Sequence, residues 1–157
     1  MKPNLKWLSE MTAFGGLTPE GLKVVSRYLT PSNHPANKIL VKEGEIDDRL
    51  YLIQKGKMEI LKKTDGHSRR LTILVAGSMF GEMSLIGIFP RSATVRTLTS
   101  CRTLTLRSSD LQKVYLEDKD TYIMIILNLA REVCRRLNKM NQLIVEFGTT
   151  FPRHHRG

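Results

Sequence analysis

The 157-residue chain offers little cysteine chemistry, because it contains only Cys101 and Cys134, with no Cys-x-x-Cys spacing. Neither a disulfide framework nor a cysteine zinc site is indicated, and free buried thiols are expected. The N-terminus lacks the charged-then-apolar pattern of a signal peptide. The longest apolar stretch, Tyr122 to Leu127, is far shorter than the roughly 20 residues that span a bilayer. These absences predict a cytoplasmic protein that does not enter a membrane.

Clusters of metal ligands and nucleophiles are also missing from the sequence. The four histidines are His34, His67, His154 and His155, and none forms a His-x-His pair on a strand. Enzymes built on a cupin-like barrel, the enzyme class considered for this kind of roll, need clustered histidine and carboxylate metal ligands. No nucleophile with a neighbouring general base is recognisable either. The sequence therefore predicts a protein that is not an enzyme and that holds no metal.

Acidic residues are few relative to basic ones: 15 Asp and Glu stand against 25 Lys and Arg, a formal net charge of +10. The imbalance is steepest between Lys55 and Arg107, where only Glu59, Asp65 and Glu82 are acidic. A positive field attracts anions such as nucleotides, nucleic acid or an anionic membrane surface. Taken alone, the charge is explained more simply by an ordinary soluble surface.

Residue patterns divide the chain into a helical segment (1–38), a strand-rich segment (39–108), C-terminal helices (109–147) and a flexible tail (148–157). Thr18-Pro19-Glu20 is typical of a helix start, with Thr18 as the N-cap. The segment Pro31–Pro35, which begins and ends with proline, is predicted to be a loop. A second helix start is expected at Ser109, because Ser109 to Gln112 has the form of a capping box.

Short strand-like runs punctuated by turn glycines fill the middle of the chain. These runs are Ile39–Val41, Leu50–Ile53, Lys57–Leu61, Leu71–Val75 and Thr94–Leu106. Turn residues such as Gly44, Gly56, Gly66 and Gly77 separate them. This regular spacing predicts a mainly β fold with flanking helices, a jelly-roll-like barrel of the double-stranded β-helix type.

The last predicted helix, from about Asp120 to Phe147, carries a narrow apolar seam. Its apolar positions alternate three and four residues apart: Ile123, Ile126, Ala130, Val133, Leu137, Met140, Ile144 and Phe147. This is the spacing of a coiled-coil seam. The seam either packs on its own barrel or pairs with another helix, and its narrowness and charged flanks favour a partner. The same helix of a second copy, residues 120–147, would give a twofold homodimer.

Residues 80–95 carry the strongest functional signal. Gly81 allows close approach of the backbone to another group. The turn of helix that can begin at Glu82 has an N-terminus that favours an anion. Arg91 follows Pro90 at the mouth of the next strand. Because Glu82 and Arg91 lie among apolar residues, each needs a partner. They can pair with each other, or with a ligand that offers an anion to Arg91 and a hydroxyl to Glu82.

The run Phe-Gly-Glu-Met-Ser-Leu at 80–85, with Arg-Ser-Ala-Thr-Val at 91–95, resembles the phosphate-binding cassette of cyclic-nucleotide-binding domains. That family includes cAMP receptor proteins and the regulatory subunits of cAMP-dependent kinase. The pattern Asp48-x-x-Tyr51-x-Ile53-x-x-Gly56 extends the resemblance over roughly residues 14–141. The resemblance implies a β-roll with a C-terminal dimerisation helix, in a regulatory protein that binds a cyclic nucleotide.

The resemblance also implies roles for individual residues. Arg91 would hold the cyclic phosphate with help from the Ser92 hydroxyl, and Glu82 would accept the ribose 2′-OH. Asn141 is the candidate contact for the edge of the base. The serine at 92, where some members have a threonine that favours cGMP, makes cAMP the expected ligand and cGMP the alternative. The predicted ligand-binding residues are Gly81, Glu82, Met83, Ser84, Arg91, Ser92, Ala93 and Asn141.

Three functions are compatible with this resemblance. The first is a sensor in which ligand binding rearranges the C-terminal helix. The second is the sensor domain of a catabolite-activator-type transcription regulator, although only about ten residues follow Phe147. That is too few for a DNA-recognition helix, so no direct DNA binding is expected from this chain. The third is a degenerate module that acts only in protein–protein interaction, in which Glu82 and Arg91 would form a mutual salt bridge.

Overall fold

A computed structural model describes residues 3–87 and 89–150, with the backbone alone for residues 147–150. Within that range the chain forms five α-helices, eight strands and a 3-10 turn at Thr12–Phe14. The helices are α1 (Leu5–Glu10), α2 (Pro19–Ser26), α3 (Glu82–Gly87), α4 (Ser108–Glu117) and α5 (Lys119–Thr150). The strands are β1 (Thr30–His34), β2 (Ile39–Val41), β3 (Arg49–Lys55), β4 (Lys57–Thr64), β5 (His67–Val75), β6 (Met79–Phe80), β7 (Thr94–Thr97) and β8 (Cys101–Arg107).

The strands form two antiparallel sheets of four strands each, in the orders β1-β8-β3-β6 and β2-β7-β4-β5. The chain crosses repeatedly from one sheet to the other, as in a jelly roll. The predicted fold class, mainly β with flanking helices, is confirmed, with two facing sheets making up the roll.

Strand β3 is apolar on both faces because both faces are covered. Leu50 and Leu52 belong to a core that the first sheet shares with the helices. Tyr51 and Ile53 point the other way and belong to a second core between the two sheets. Successive side chains of a strand alternate between its faces. This double burial explains the uninterrupted run from Leu50 to Ile53.

Helix α5 is fixed to the N-terminal helices by close contacts. The side-chain amide of Asn128 donates a hydrogen bond to the carbonyl of Gly15 at 2.8 Å. Gly21 of α2 lies so near Thr121 that an added Cβ would be 2.3 Å from the threonine Oγ1. Trp7 of α1 packs on the same helical core. The first turns of α5 are therefore an integral part of the domain.

The prediction of a loop at Pro31–Pro35 is wrong, because the chain forms strand β1 from Thr30 to His34. Strand β1 lies at the edge of its sheet and pairs only with β8, with Pro31 opposite Leu104. A proline on an edge strand is tolerated because its missing N–H can face away from the neighbouring strand. The sheet therefore begins inside the segment predicted to be helical.

Three further sequence predictions differ from the structure. The run Thr94–Leu106 is two strands, β7 and β8, which lie in different sheets. The predicted capping box at Ser109 is wrong, because α4 begins at Ser108 and its N-cap, Arg107, makes no side-chain cap hydrogen bond. The chain passes directly from the last residue of β8 into the helix, so the boundary is set by the strand. Cys101 is buried as expected, whereas Cys134 is exposed on α5, and both are free thiols.

Helix α5 continues to Thr150, three residues beyond the end predicted for it. The rest of the predicted tail, 151–157, lies outside the described residues, as do His154, His155 and the side chain of Phe147. None of the helices in the described part of the chain is both long enough and apolar enough to cross a membrane.

Candidate functional site

Helix α3 and the segment leading into β7 bring most of the predicted ligand-binding residues to one cleft. The predicted residues that line it are Gly81, Glu82, Met83, Ser84, Arg91, Ser92 and Ala93. Its apolar wall comes from the sheets, through residues such as Val41, Ile60 and Val95. The cleft encloses a cavity of about 80 Å³, or about 480 Å³ when its open mouth is included.

Arg91 is buried in the wall of this cleft with only part of its hydrogen-bonding capacity used. Its Nη2 lies 3.0 Å from Asp47 Oδ2 and donates to the carbonyl of Arg49 at 2.6 Å. Its guanidinium carbon lies 5.7 Å from the centre of the Tyr51 ring. Nε and Nη1 are buried and have no hydrogen-bond partner among the described residues. The guanidinium is thus held in place while two donors remain unused.

Gly81 gives this guanidinium the space it occupies. The glycine has a φ of +92°, which side-chain-bearing residues rarely adopt. An added Cβ would lie 2.3 Å from Arg91 Nη1 and 2.4 Å from the Arg49 carbonyl oxygen. A glycine is therefore required at this position both by the backbone conformation and by the closeness of Arg91.

Asp47, in the loop before β3, positions Arg91. Its two carboxylate oxygens accept from Arg49, with Nε at 2.8 Å, and from Arg91. Burial by itself would raise the pKa of Asp47, but the hydrogen bonds and charges of the two arginines outweigh burial and hold that pKa below its ordinary value. The Asp47 side chain therefore remains a carboxylate at neutral pH and keeps Arg91 paired.

We expect Asp47→Asn to lower the free energy of unfolding by about 1.5–3 kcal/mol at pH 7, the range for hydrogen bonds between charged groups. A lowered carboxyl pKa stabilises the fold above the unfolded-state value, near pH 4, and this contribution is lost as the pH falls through the folded-state value. The difference between wild type and variant should therefore shrink below about pH 4. Urea unfolding from pH 7 to pH 3 measures it.

The matched control is Asp48→Asn, since Asp48 is exposed in the same loop and forms no ion pair with any described residue. It should leave stability nearly unchanged at every pH. A destabilisation by Asp47→Asn that is equally large at pH 3 and pH 7 would contradict the role given to the Asp47 charge.

Glu82 opens α3 and is tied to α5 by an ion pair. Its Oε1 lies 2.8 Å from Nη1 of Arg136, while its buried Oε2 has no hydrogen-bond partner among the described residues. Arg136 also donates to the carbonyl of Met79 at 2.9 Å and to Glu132 Oε1 at 2.9 Å. A direct Glu82–Arg91 salt bridge, which a degenerate module would have, is not formed. Each residue has a different partner, and each retains a free polar atom.

The remaining predicted residues differ in their exposure. Ser84 is buried, whereas Met83 and Ser92 are exposed. The Ser92 carbonyl accepts a hydrogen bond from Lys62 Nζ at 2.6 Å, which fixes the chain next to Arg91. Asn141 lies on an exposed part of α5 and does not line the cleft of its own chain.

Asp47 and Arg136 are site residues that the sequence did not predict. Asp47 is adjacent in sequence to Asp48, and no pattern distinguishes the two carboxylates. Arg136 is one of several basic residues on α5. The available signal was Glu132 four residues earlier, a spacing that places both on the same helical face.

A buried guanidinium and a buried carboxylate with unused hydrogen-bonding atoms, set in a cleft of a jelly roll, define a small-ligand-binding domain. The two side chains suit a ligand that carries both an anionic group and a hydroxyl. The described residues contain no group of three or more His, Cys, Asp or Glu that could hold a metal ion. The unused donors of Arg91 and the unused acceptor of Glu82 favour binding of an organic anion that carries a hydroxyl.

The chain matches the family model of the cyclic nucleotide-binding domain over residues 31–118. The match includes β1 except its first residue, strands β2 to β8, α3 and α4, and therefore the whole cassette. The chain belongs to this family, as the cassette motif indicated.

Known proteins similar to the chain include transcriptional regulators, a kinase regulatory subunit and potassium channels. It is 30% identical over 138 residues to the CRP-like cAMP-activated global transcriptional regulator of Mycobacterium tuberculosis. This alignment covers 87% of the present chain and 62% of the regulator. The Thermus thermophilus catabolite activator protein has a TM-score of 0.78 at 27% identity, covering 87% and 63% of the two chains. The regulatory domain of Toxoplasma gondii PKA, solved with cAMP, has a TM-score of 0.66 at 26% identity, covering 70% and 42%. The chain thus spans less than two thirds of the length of each of these relatives.

Proposed function

We propose that this chain is a cAMP sensor: a non-enzymatic, cytoplasmic regulatory domain in which a bound cyclic nucleotide changes the position of α5. One observation carries the proposal. Two donors of the buried Arg91 and one acceptor of the buried Glu82 are unused in the same cleft. A cyclic nucleotide presents both complementary groups, a phosphate anion and a ribose hydroxyl. The relatives named for cAMP support this ligand.

In this proposal the cyclic phosphate accepts hydrogen bonds from Nε and Nη1 of Arg91. The N–H groups of the first turn of α3, which have no partner inside a helix, lie beside it. The Ser92 hydroxyl adds a further contact from the exposed rim. The ribose 2′-OH donates to Oε2 of Glu82, and the apolar wall near Val41 and Val95 supports the flat faces of the nucleotide.

The Glu82–Arg136 ion pair connects this ligand to α5. A hydroxyl that donates to Oε2 shares the carboxylate whose Oε1 holds Arg136, so ligand and α5 are coupled through Glu82. Such coupling works only if the nucleotide binds one position of α5 more tightly than another. Arg136 is the described residue of α5 that reaches both Glu82 and β6, and we therefore assign the coupling to it.

A homodimer through α5 is part of the proposal. The helix leaves large apolar side chains exposed on the seam face, among them Ile123, Leu137, Met140 and Ile144. Asn141 is about 140° around the helix from Arg136, since each residue advances about 100°. It therefore lies on the seam face, away from its own cleft. We propose that Asn141 reaches the base of a nucleotide bound to the second copy.

Calorimetric titration with cAMP, cGMP and a cyclic dinucleotide tests the choice of ligand. We expect cAMP to bind at sub-millimolar concentration and more tightly than cGMP or the dinucleotide. Absence of binding by all three would contradict the sensor proposal and favour a module that acts only through protein contacts. Tighter binding of cGMP would contradict the assignment made from Ser92.

Glu82→Ala tests the ribose contact. We expect cAMP affinity to fall by about 10- to 100-fold, since a hydrogen bond to a charged group is worth about 1.5–3 kcal/mol. The ratio of the affinities for cAMP and 2′-deoxy-cAMP should exceed one in wild type and fall to about one in the variant. Titration calorimetry with the two ligands measures both quantities.

The matched control is Glu59→Ala. Glu59 is also buried and ion-paired, with Arg96 at 2.5 Å, but it does not line the cleft. It should keep the wild-type preference for the ribose hydroxyl. A preference that survives in Glu82→Ala would refute the ribose role even if the affinity has fallen.

A further inference from the structure

A second cleft opens on another side of the roll, between β1, β2, β3, β8 and the start of α4. It encloses about 980 Å³ including its mouth. None of its lining residues belongs to the cyclic-nucleotide cleft. Tyr51 stands between the two, with the guanidinium carbons of Arg49 and Arg91 at 5.4 Å and 5.7 Å from its ring centre. The second cleft is therefore a separate space.

The lining of this second cleft is strongly basic. Lys38, Arg49, Arg107 and Lys113 line it, whereas Asp110 is its single acidic residue. Asp110 is neutralised by Lys113 at 2.7 Å. Lys38 and Arg107 form no ion pair with any described residue. Two cationic side chains therefore face this space without a neutralising partner.

The wall of the second cleft supplies hydroxyls and one imidazole. Thr30 and Ser32 of β1 and Thr105 of β8 line it, and Thr30 is directly paired with Thr105. His34 lines it as well, with Nε2 at 2.9 Å from Thr103 Oγ1. Its other nitrogen, Nδ1, is buried and has no hydrogen-bond partner among the described residues.

The pKa of His34 responds to the charges that surround the second cleft. Burial, and then the charge of Lys38, lower the pKa of His34 below its ordinary value, so the ring is neutral at pH 7. An anion in the second cleft would offset the field of Lys38. It would also stabilise the imidazolium form and thereby raise the pKa of His34.

We propose that this basic cleft is a second anion site, which takes the phosphate group of a small molecule. Lysine and arginine side chains together with hydroxyl donors are the groups that bind phosphate oxygens. The site is concave and lies between two sheets, so it suits a small molecule better than a nucleic-acid backbone or a lipid surface. The proposal does not depend on cAMP binding.

Asp47 links the second site to the first. It accepts hydrogen bonds from Arg49, which lines the basic cleft, and from Arg91, which lines the cyclic-nucleotide cleft. A phosphate bound to Arg49 therefore acts on the carboxylate that also holds Arg91.

NMR titration with pyrophosphate, at pH 7 and physiological salt, tests the second site. We expect saturable shifts of the amides of Ser32, His34 and Thr105, and a rise in the pKa of His34. The double variant Lys38→Gln/Arg107→Gln should weaken binding about tenfold or more. Both residues lie outside ion pairs, so the fold should be retained.

The control is Lys23→Gln/Arg69→Gln, which removes the same charge from exposed positions that do not line the cleft. It should bind pyrophosphate as wild type does. The proposal is overturned if the β1 and β8 amides do not shift, or if both double variants weaken binding equally. It is also overturned if only Gly81 and Ser84 shift, because those amides report the other cleft.

Discussion

Replacing Arg91 with alanine is expected to weaken cAMP binding about a hundredfold or more. The free Nε and Nη1 donors would each make a charge-assisted hydrogen bond to the cyclic phosphate, and one such bond is worth about 1.5–3 kcal/mol. Both donors are lost together in Arg91→Ala. Calorimetric titration with cAMP at constant salt measures the effect.

The variant is expected to fold, because Asp47 retains Arg49 as its partner. Arg91→Lys keeps the charge but not the planar set of donors, so it should show an intermediate loss. Arg69→Ala is the matched control, since it removes an exposed arginine that lies outside the cleft. If Arg91→Ala and Arg69→Ala lower cAMP affinity by the same factor, Arg91 does not hold the phosphate. The loss of overall positive charge then accounts for the lower affinity.

The second large effect is expected from Leu137→Glu, which should convert a dimer into a monomer. Leu137 is 59% exposed in the single chain and lies on the seam of α5. A glutamate at the centre of a helix–helix seam would be buried without a partner, which is strongly unfavourable. Sedimentation should show a mass of twice 17.9 kDa for wild type and of 17.9 kDa for the variant.

Leu116→Glu is the control, because it places the same charge at an exposed position outside the seam. Leu116 is 75% exposed on α4, so the same substitution there should leave the sedimenting mass unchanged. A wild-type protein that sediments as a monomer, or a Leu137→Glu variant that remains dimeric, contradicts the seam. The prediction is independent of ligand, and sedimentation with and without cAMP separates assembly from binding.

The sequence predicted the cassette well because its residues are local. Gly81, Glu82 and Arg91 lie within eleven positions, and a short helix followed by a strand is enough to bring them together. The partners of Glu82 and Arg91 come from distant parts of the chain, so their identity depends on the packing. Asp47 is selected over Asp48 by the direction of a loop, and Arg136 is selected by the rotation of α5 against α3.

Strand β1 and the start of α4 show the same limit in the fold. The two prolines around residues 31–35 indicate a loop by local propensity, and only the position of β1 at a sheet edge makes Pro31 acceptable there. The start of α4 is set by the end of β8. Local pattern therefore predicted which elements exist, whereas tertiary contacts decided where they begin and which side chains they bring together.

The placement of Trp7 has a spectroscopic consequence. It is the only tryptophan in the chain, and it packs on the core formed by the helices and the outer face of the first sheet. The Tyr51 ring lies 5.7 Å from the Arg91 guanidinium carbon and stacks on the Phe80 ring, with 4.7 Å between centroids. Tryptophan emission therefore follows the state of the helical core, and it changes on ligand binding only if the bound nucleotide shifts α5 against that core. A single sample can yield an unfolding curve by emission while ligand occupancy is read independently by calorimetry.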